Sequence, residues 1–111
     1  MSKDSLDLTD DKLIFHEGHV YFSVYFADEK LIYPFIGSFV YIGEDVVGTE
    51  TEQTWYFQDC ESFARQGSFL DGTIKDGQIL GLTKDTASHM ATIDKLIPEL
   101  RRAETRNIDG N

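Results

Sequence analysis

The clearest pattern along this chain is a strict alternation of side chains in its first half. From His19 to Ala27 every second residue is a large apolar one, and the residues between them are mostly tyrosines. Side chains of a strand point alternately to its two faces, so this run predicts a strand with two different faces. One face holds Val20, Phe22, Val24 and Phe26, and the other holds Tyr21, Ser23 and Tyr25.

Three further segments have the composition of strands. They are residues 12–16, 31–42 and 54–58, separated by turn signals at Glu17-Gly18 and Asp28-Glu29. Pro34 cannot donate a ladder hydrogen bond, so it predicts an edge, a bulge or a strand start. Gly37 predicts a bulge or a close approach of another group to the backbone. Weaker strand signals occur at residues 73–74 and 78–80.

Helical signals begin after the fourth strand. Asp59 is a suitable N-cap, residues 60–66 form two predicted turns, and Gly67 is a suitable C′ residue. A second helix is predicted near the C-terminus, with Thr83 or Thr86 as its cap, and Pro98 should kink or restart it. Its apolar stripe would comprise Met90, Ile93, Ile97 and Leu100.

These elements predict an α+β domain. The expected fold is an antiparallel β-meander of four to six strands, with a short central helix and a longer C-terminal helix packed on one sheet face. The Val20/Phe22/Val24/Phe26 face can supply the apolar surface that the helix needs, although the sequence does not specify which face is covered; the tyrosines would then lie on the opposite, exposed face. We expect a flexible acidic leader at 1–10, a single domain at 11–106 and a frayed tail at 107–111.

The charge of the chain limits its possible partners. The formal net charge is −10, and residues 1–60 contain twelve Asp/Glu against three Lys/Arg. This composition argues against binding to nucleic acid or to an anionic membrane, and it favours a basic protein, although many acidic proteins are acidic only for solubility. The single Cys60 is typical of a reducing compartment, and no apolar run approaches the length of a membrane span, so we expect a cytoplasmic protein.

The candidate binding residues combine aromatic rings with an acidic loop. Residues 43–54 include four acids and no base, without the ligand spacing of an EF-hand, although a solvated loop has the same composition. The sequence therefore favours a small protein-binding module, an inhibitor or an immunity-type protein, that meets a basic partner through an aromatic sheet face and this loop. The residues assigned to that surface are Tyr21, Tyr25, Tyr41, Glu44, Asp45, Glu50, Glu52 and Tyr56.

Two alternatives remain at this stage. The aromatic face would equally serve as the subunit interface of a homodimer or larger homo-oligomer. An enzyme is the less favoured alternative: it would use His16 and His19 as metal ligands, or Cys60 as a nucleophile with His89 as its base. Neither arrangement matches a known motif, so we assign no catalytic residue, metal or cofactor.

Overall fold

The computed structural model describes residues 13–72 and 79–109, which form one antiparallel sheet with helices against it. The sheet order is β1-β2-β3-β4, and each strand pairs with its neighbour along the chain. This α+β meander with a short and a long helix confirms the predicted fold class. The elements are β1 (Val20–Phe26), β2 (Pro34–Glu44), β3 (Trp55–Asp59), α1 (Cys60–Gln66), a 3₁₀ turn (Phe69–Asp71), β4 (Ile79–Leu82), α2 (Lys84–Ala87) and α3 (Ile93–Asp109).

None of the helices within these two ranges combines the length and the apolar character that crossing a membrane requires. The predicted leader at 1–10 and the weak strand at 73–74 lie outside the described residues. The weak signal at 78–80 corresponds to β4, which begins at Ile79.

The hairpin between β1 and β2 is organised by one carboxylate. Asp28 accepts hydrogen bonds from the backbone N–H groups of Ile32 and Tyr33, and the Ala27 N–H donates to the Tyr33 carbonyl at 2.9 Å. The connection is therefore longer than the two-residue turn predicted at Asp28-Glu29. Pro34 is the first residue of β2, one of the positions that the sequence allowed for it.

β2 contains a bulge, but it does not lie at Gly37. The register shifts between Tyr41 and Gly43, whereas Gly37 pairs regularly with Ser23. A Cβ on Gly37 would come within 2.8 Å of Cε2 in the Phe39 ring, so the glycine is needed because this ring lies over the backbone. Of the two predictions for Gly37, a bulge or a close approach of another group to its backbone, the second is therefore confirmed.

The start of α1 follows the prediction. The Asp59 carboxylate accepts from the Ser62 N–H at 3.1 Å, and Gly67 ends the helix with φ of 86°. Before it, the fully buried Gln58 amide donates to the Ser62 hydroxyl and the Gly67 carbonyl, and it accepts from the Phe69 N–H. These three bonds satisfy a buried polar side chain and fix α1 against the sheet.

The predicted first strand at 12–16 is wrong at residues 13–16, and Lys12 lies outside the described residues. Residues 13–16 have no strand pairing, although the turn that follows forms as expected, with the His19 N–H donating to the His16 carbonyl. The outer edge of β1 is instead paired at Phe22 with Ala91, which the chain reaches after α2. Leu13 and Phe15 consequently pack across the sheet face against the core.

The C-terminal helix differs from its prediction in its start and its buried stripe. Met90 precedes α3 and lies in the core, because residues 88–92 turn to bring Ala91 beside β1. The buried residues of α3 are Leu96 and Ala103, whereas Ile93 and Ile97 are 50% and 43% exposed. α3 passes through Pro98 without a restart, and it includes residues 107–109 of the predicted tail.

Candidate functional site

The tyrosines of the predicted binding surface occupy different environments. Tyr21 and Tyr41 are 6% and 5% exposed, so the expectation that they lie on an open face is wrong. They belong to the hydrophobic core with Trp55 and Phe57. The cause is the path of the chain after β4, which carries α2 and Met90 over this end of the tyrosine face.

Phe15 completes this cover from the other direction. Its ring makes edge contacts with Tyr21 and Phe57 at centroid distances of 5.0 and 5.1 Å, and it lies 5.3 Å from the Tyr41 ring. The Tyr21 hydroxyl accepts a hydrogen bond from the His16 N–H at 2.8 Å, which satisfies it inside the core. These rings therefore hold the fold together and do not present a surface to a partner.

The other end of the same face is open. Tyr25 and Phe35 are directly opposite on β1 and β2, and their rings stack with centroids 5.3 Å apart and planes 16° apart. They are 63% and 55% exposed, and Tyr33, two residues before Phe35, is 58% exposed. We call Tyr25, Tyr33 and Phe35 the open aromatic surface.

Sequence reasoning identified only one member of this surface. The pattern predicts that Tyr33 and Phe35 belong to the extended segment 31–42 but assigns neither ring to a face, because a turn at Asp28-Glu29 is shorter than the connection that forms. A connection closed at Ala27 and Tyr33 puts Phe35 opposite Tyr25. The register of the hairpin therefore decides which rings share this surface. The Asp28 carboxylate fixes that register, so the aspartate is the residue in the sequence that could have indicated it.

Some carboxylates of the acidic loop accept hydrogen bonds from other residues of the loop and so stabilise its conformation. The Glu50 carboxylate accepts from the N–H groups of Val47 and Gly48, and the Asp45 carboxylate accepts from the Thr54 N–H. Glu44 accepts from the Gln53 side-chain amide. Glu52 is exposed, and its carbonyl, rather than its carboxylate, accepts from the Thr54 hydroxyl.

Tyr56 lies in β3, and its hydroxyl group is hydrogen-bonded to Glu50 of the acidic loop. Its hydrogen bond to Glu50 raises the pKa of Tyr56 above the ordinary value. Desolvation raises the pKa of Glu50, but the bonds from Tyr56, Val47 and Gly48 outweigh it and lower that pKa below the ordinary value. Tyr56 is half-buried and lies over Gly81 of β4, so its ring is only partly available to a partner.

The structure does not bring the aromatic and acidic parts of the predicted surface together. Phe35 is near the start of β2 and Glu44 is its last residue, nine positions later. At about 3.3 Å per residue they are roughly 30 Å apart. The acidic loop and the open aromatic surface are therefore two separate features at opposite ends of the sheet.

The residues considered for catalysis or metal binding are His16, His19, Cys60 and His89. The His16 and His19 rings are 5.4 Å apart, but within residues 13–72 and 79–109 no three His, Cys, Asp or Glu side chains are grouped to hold a metal. Cys60 is a half-buried free thiol at the first position of α1. His89 lines a groove beside β1, together with Val24 and Ala91.

Comparison with known proteins gives no relative: no family model, no curated protein and no solved structure matches this chain. The functional argument therefore depends on the surfaces that these residues form.

Proposed function

We propose that this chain is a small protein-binding module that contacts a basic partner through the open aromatic surface. The observation that carries the proposal is the exposure of the stacked pair Tyr25 and Phe35. Aromatic rings are enriched at the centres of interfaces because they bury a large area with little loss of side-chain freedom. Because the two rings already stack on each other, a partner that covers them restricts their side-chain motion little, and the entropic cost of binding is small.

The charge of the chain supports a basic partner. With a net charge of −10, the protein attracts cationic surfaces from a distance and accelerates their encounter. Glu52 and Glu44 contribute to this field, together with the other acids of the loop. Because the loop lies about 30 Å from the aromatic pair, its contribution is to the association rate more than to the close contact.

An inhibitor or immunity-type protein of the cytoplasm is the specific form of this function that we favour. Such a protein binds one basic enzyme and needs no catalytic centre of its own. The acidic composition, the single free cysteine and the preformed aromatic pair agree with this role.

The first experiment is capture of partners from a native lysate with wild-type protein and with the double variant Tyr25→Ser/Phe35→Ser. The matched control is Ile14→Ser, which removes an apolar side chain that is 67% exposed outside the aromatic surface. We expect a basic protein that the wild type and the control retain and the double variant loses. Retention of the same protein by the double variant would refute the aromatic surface as the contact.

Steering by charge has a separate test. In the variant Glu44→Gln/Glu52→Gln, the loop keeps the hydrogen bonds that Asp45 and Glu50 make. We expect the association rate with the captured partner to fall several-fold at low salt, with little change in dissociation. An association rate that is the same in variant and wild type would remove the loop from the mechanism.

Self-association through the same rings is the alternative function. The exposed aromatic pair favours it, while the net charge of −10 opposes it. Sedimentation equilibrium over a wide concentration range separates the two functions. A dimer that Tyr25→Ser/Phe35→Ser converts to monomer would assign the surface to a second copy of this chain.

A further inference from the structure

The outer edge of β1 begins a fifth strand pairing, which residues 13–72 and 79–109 do not continue beyond Ala91. The Phe22 N–H donates to the Ala91 carbonyl, and the Ala91 N–H donates to the Phe22 carbonyl, both at 2.8 Å. Because the hydrogen-bonding groups of a strand alternate in direction, those of Val24 and Phe26 point to the same outer edge as those of Phe22. Among the described residues, Ala91 alone pairs with this edge outside the main ladder.

A groove runs along the part of this edge that follows Phe22, beside Val24 and Phe26. It lies between β1 and α3, has a volume of about 510 Å³, and has His89 and Ala91 at its side. Its apolar surface is formed by Val24, Phe26, Leu96 and Pro98. A strand edge beside a helix, with apolar side chains between them, is the arrangement by which several domains bind an extended peptide as an added strand.

The charged residues that line the groove are balanced, in contrast to the acidic chain as a whole, and a further cation lies at its far end. Lys95 and Arg102 line it with Asp94 and Glu99, and Arg102 forms an ion pair with Glu99 at 2.7 Å. At the far end Arg106 stands over the Phe26 ring and donates to the Leu31 carbonyl. With Arg106 included, three cations face two carboxylates, and Lys95 has no ion pair among the described residues, which favours a peptide that carries an acidic side chain.

We propose that the groove between β1 and α3 binds an extended, acidic segment of another protein, which adds to β1 as a fifth strand. Backbone hydrogen bonds to Val24 and Phe26 would supply the pairing, apolar side chains would enter the groove, and an acidic side chain would meet Lys95. This site uses the edge of β1 and is independent of the open aromatic surface, which lies on the sheet face.

The test uses the full chain and a panel of short acetylated, amidated peptides in which Val, Ile or Phe alternates with Glu or with Lys. Binding is followed by the amide signals and the hydrogen exchange of the protein. We expect Glu-containing peptides to shift and protect the Val24 and Phe26 amides, and to bind several-fold more tightly than their Lys-containing counterparts. No shift of these two amides at about 1 mM of any peptide, a concentration that reveals even weak binding, would overturn the proposal.

Two further comparisons exclude binding that does not use strand addition. N-methylation of the peptide nitrogens one at a time should abolish binding only at alternate positions, because only every second N–H of an added strand faces β1. Lys95→Glu should weaken the Glu-containing peptides at least fivefold, whereas Arg101→Glu, the same charge change on the same helix outside the groove, should change binding less than twofold. Equal effects of all N-methyl positions, or of the two charge variants, would refute strand addition at this site.

The free protein distinguishes the other possible occupants. Protection of the Val24 and Phe26 amides before any peptide is added, if independent of protein concentration, would assign the edge to this chain's own residues. Protection that increases with concentration would assign it to a second copy. Either result would overturn the proposal. These measurements are made on the wild-type protein, whereas Phe35→Ser tests the open aromatic surface separately.

Discussion

The two ends of the tyrosine-bearing sheet face have nearly the same composition and opposite environments. At one end Tyr21, Tyr41 and Phe57 are covered and at most 6% exposed. At the other end Tyr25 and Phe35 stack in the open, with more than half of each side chain exposed. The difference is the cover, which Phe15, Ala87 and Met90 provide at the first end only. Residue type therefore does not decide whether an aromatic ring belongs to the core or to a binding surface.

The largest expected effect separates the two ends by stability. Phe57→Ala should lower the free energy of unfolding by about 3–5 kcal/mol, because it leaves a cavity at a position with 0% exposure. Phe35→Ala should lower it by less than about 1 kcal/mol, since its ring is already largely hydrated. Urea unfolding measures both variants, and similar losses would contradict the distinction between a covered and an open end.

Removing part of the cover should make the buried end resemble the open one. Phe15→Ala should cost about 2–3 kcal/mol, because this ring contacts Tyr21, Tyr41 and Phe57. It should also shift the fluorescence of Trp55, the one tryptophan of the chain, to longer wavelength. The neighbouring Ile14→Ala, at an exposed position, is the control and should stay within about 0.5 kcal/mol of wild type.

Alkaline pH should weaken the buried end through Tyr41. Burial, and then the charges of Glu44 and Glu17, raise the pKa of Tyr41 from 10.0 to about 12. Below pH 10 the hydroxyl is neutral in both states and its contribution is complete. Between pH 10 and about 12 the unfolded chain releases this proton first, so stability falls by an amount of order 1 kcal/mol.

The variant Tyr41→Phe isolates that contribution from other groups that titrate in the same window. Tyr56, whose pKa is also raised by its bond to Glu50, is still present in the variant. Urea unfolding at pH 9 and at a pH of about 11 should show a smaller loss for Tyr41→Phe than for wild type. An identical loss in both proteins would mean that the Tyr41 hydroxyl is solvated.

The smallest effect concerns the open pair itself. A double-mutant cycle with Tyr25→Ala and Phe35→Ala should give a coupling of about 0.5–1 kcal/mol, the usual contribution of stacked aromatic rings beyond burial. Thermal unfolding of the four proteins measures it. A coupling near zero would show that the two rings do not stay stacked in solution, and it would weaken the argument for a preformed surface.

The sequence by itself determined part of the local structure of this protein. Alternation in Val20–Phe26 specified β1, Pro34 restricted β2 to an edge, a bulge or a start at that residue, and Asp59 and Gly67 set both ends of α1. Each of these features depends on residues close together in the chain, through side-chain periodicity, a missing N–H, a capping bond or a left-handed backbone. For this reason the fold class was predicted correctly.

The tertiary structure alone decided which faces are covered. The return of the chain from β4 to the edge of β1 placed Ala91 beside Phe22, removed Met90 from the helix and buried Tyr21 and Tyr41. The same path left Ile97 exposed and left the groove beside Val24 open. Contacts between residues about 70 positions apart leave no periodic trace in the sequence, because either face of an aromatic strand is apolar enough to be buried.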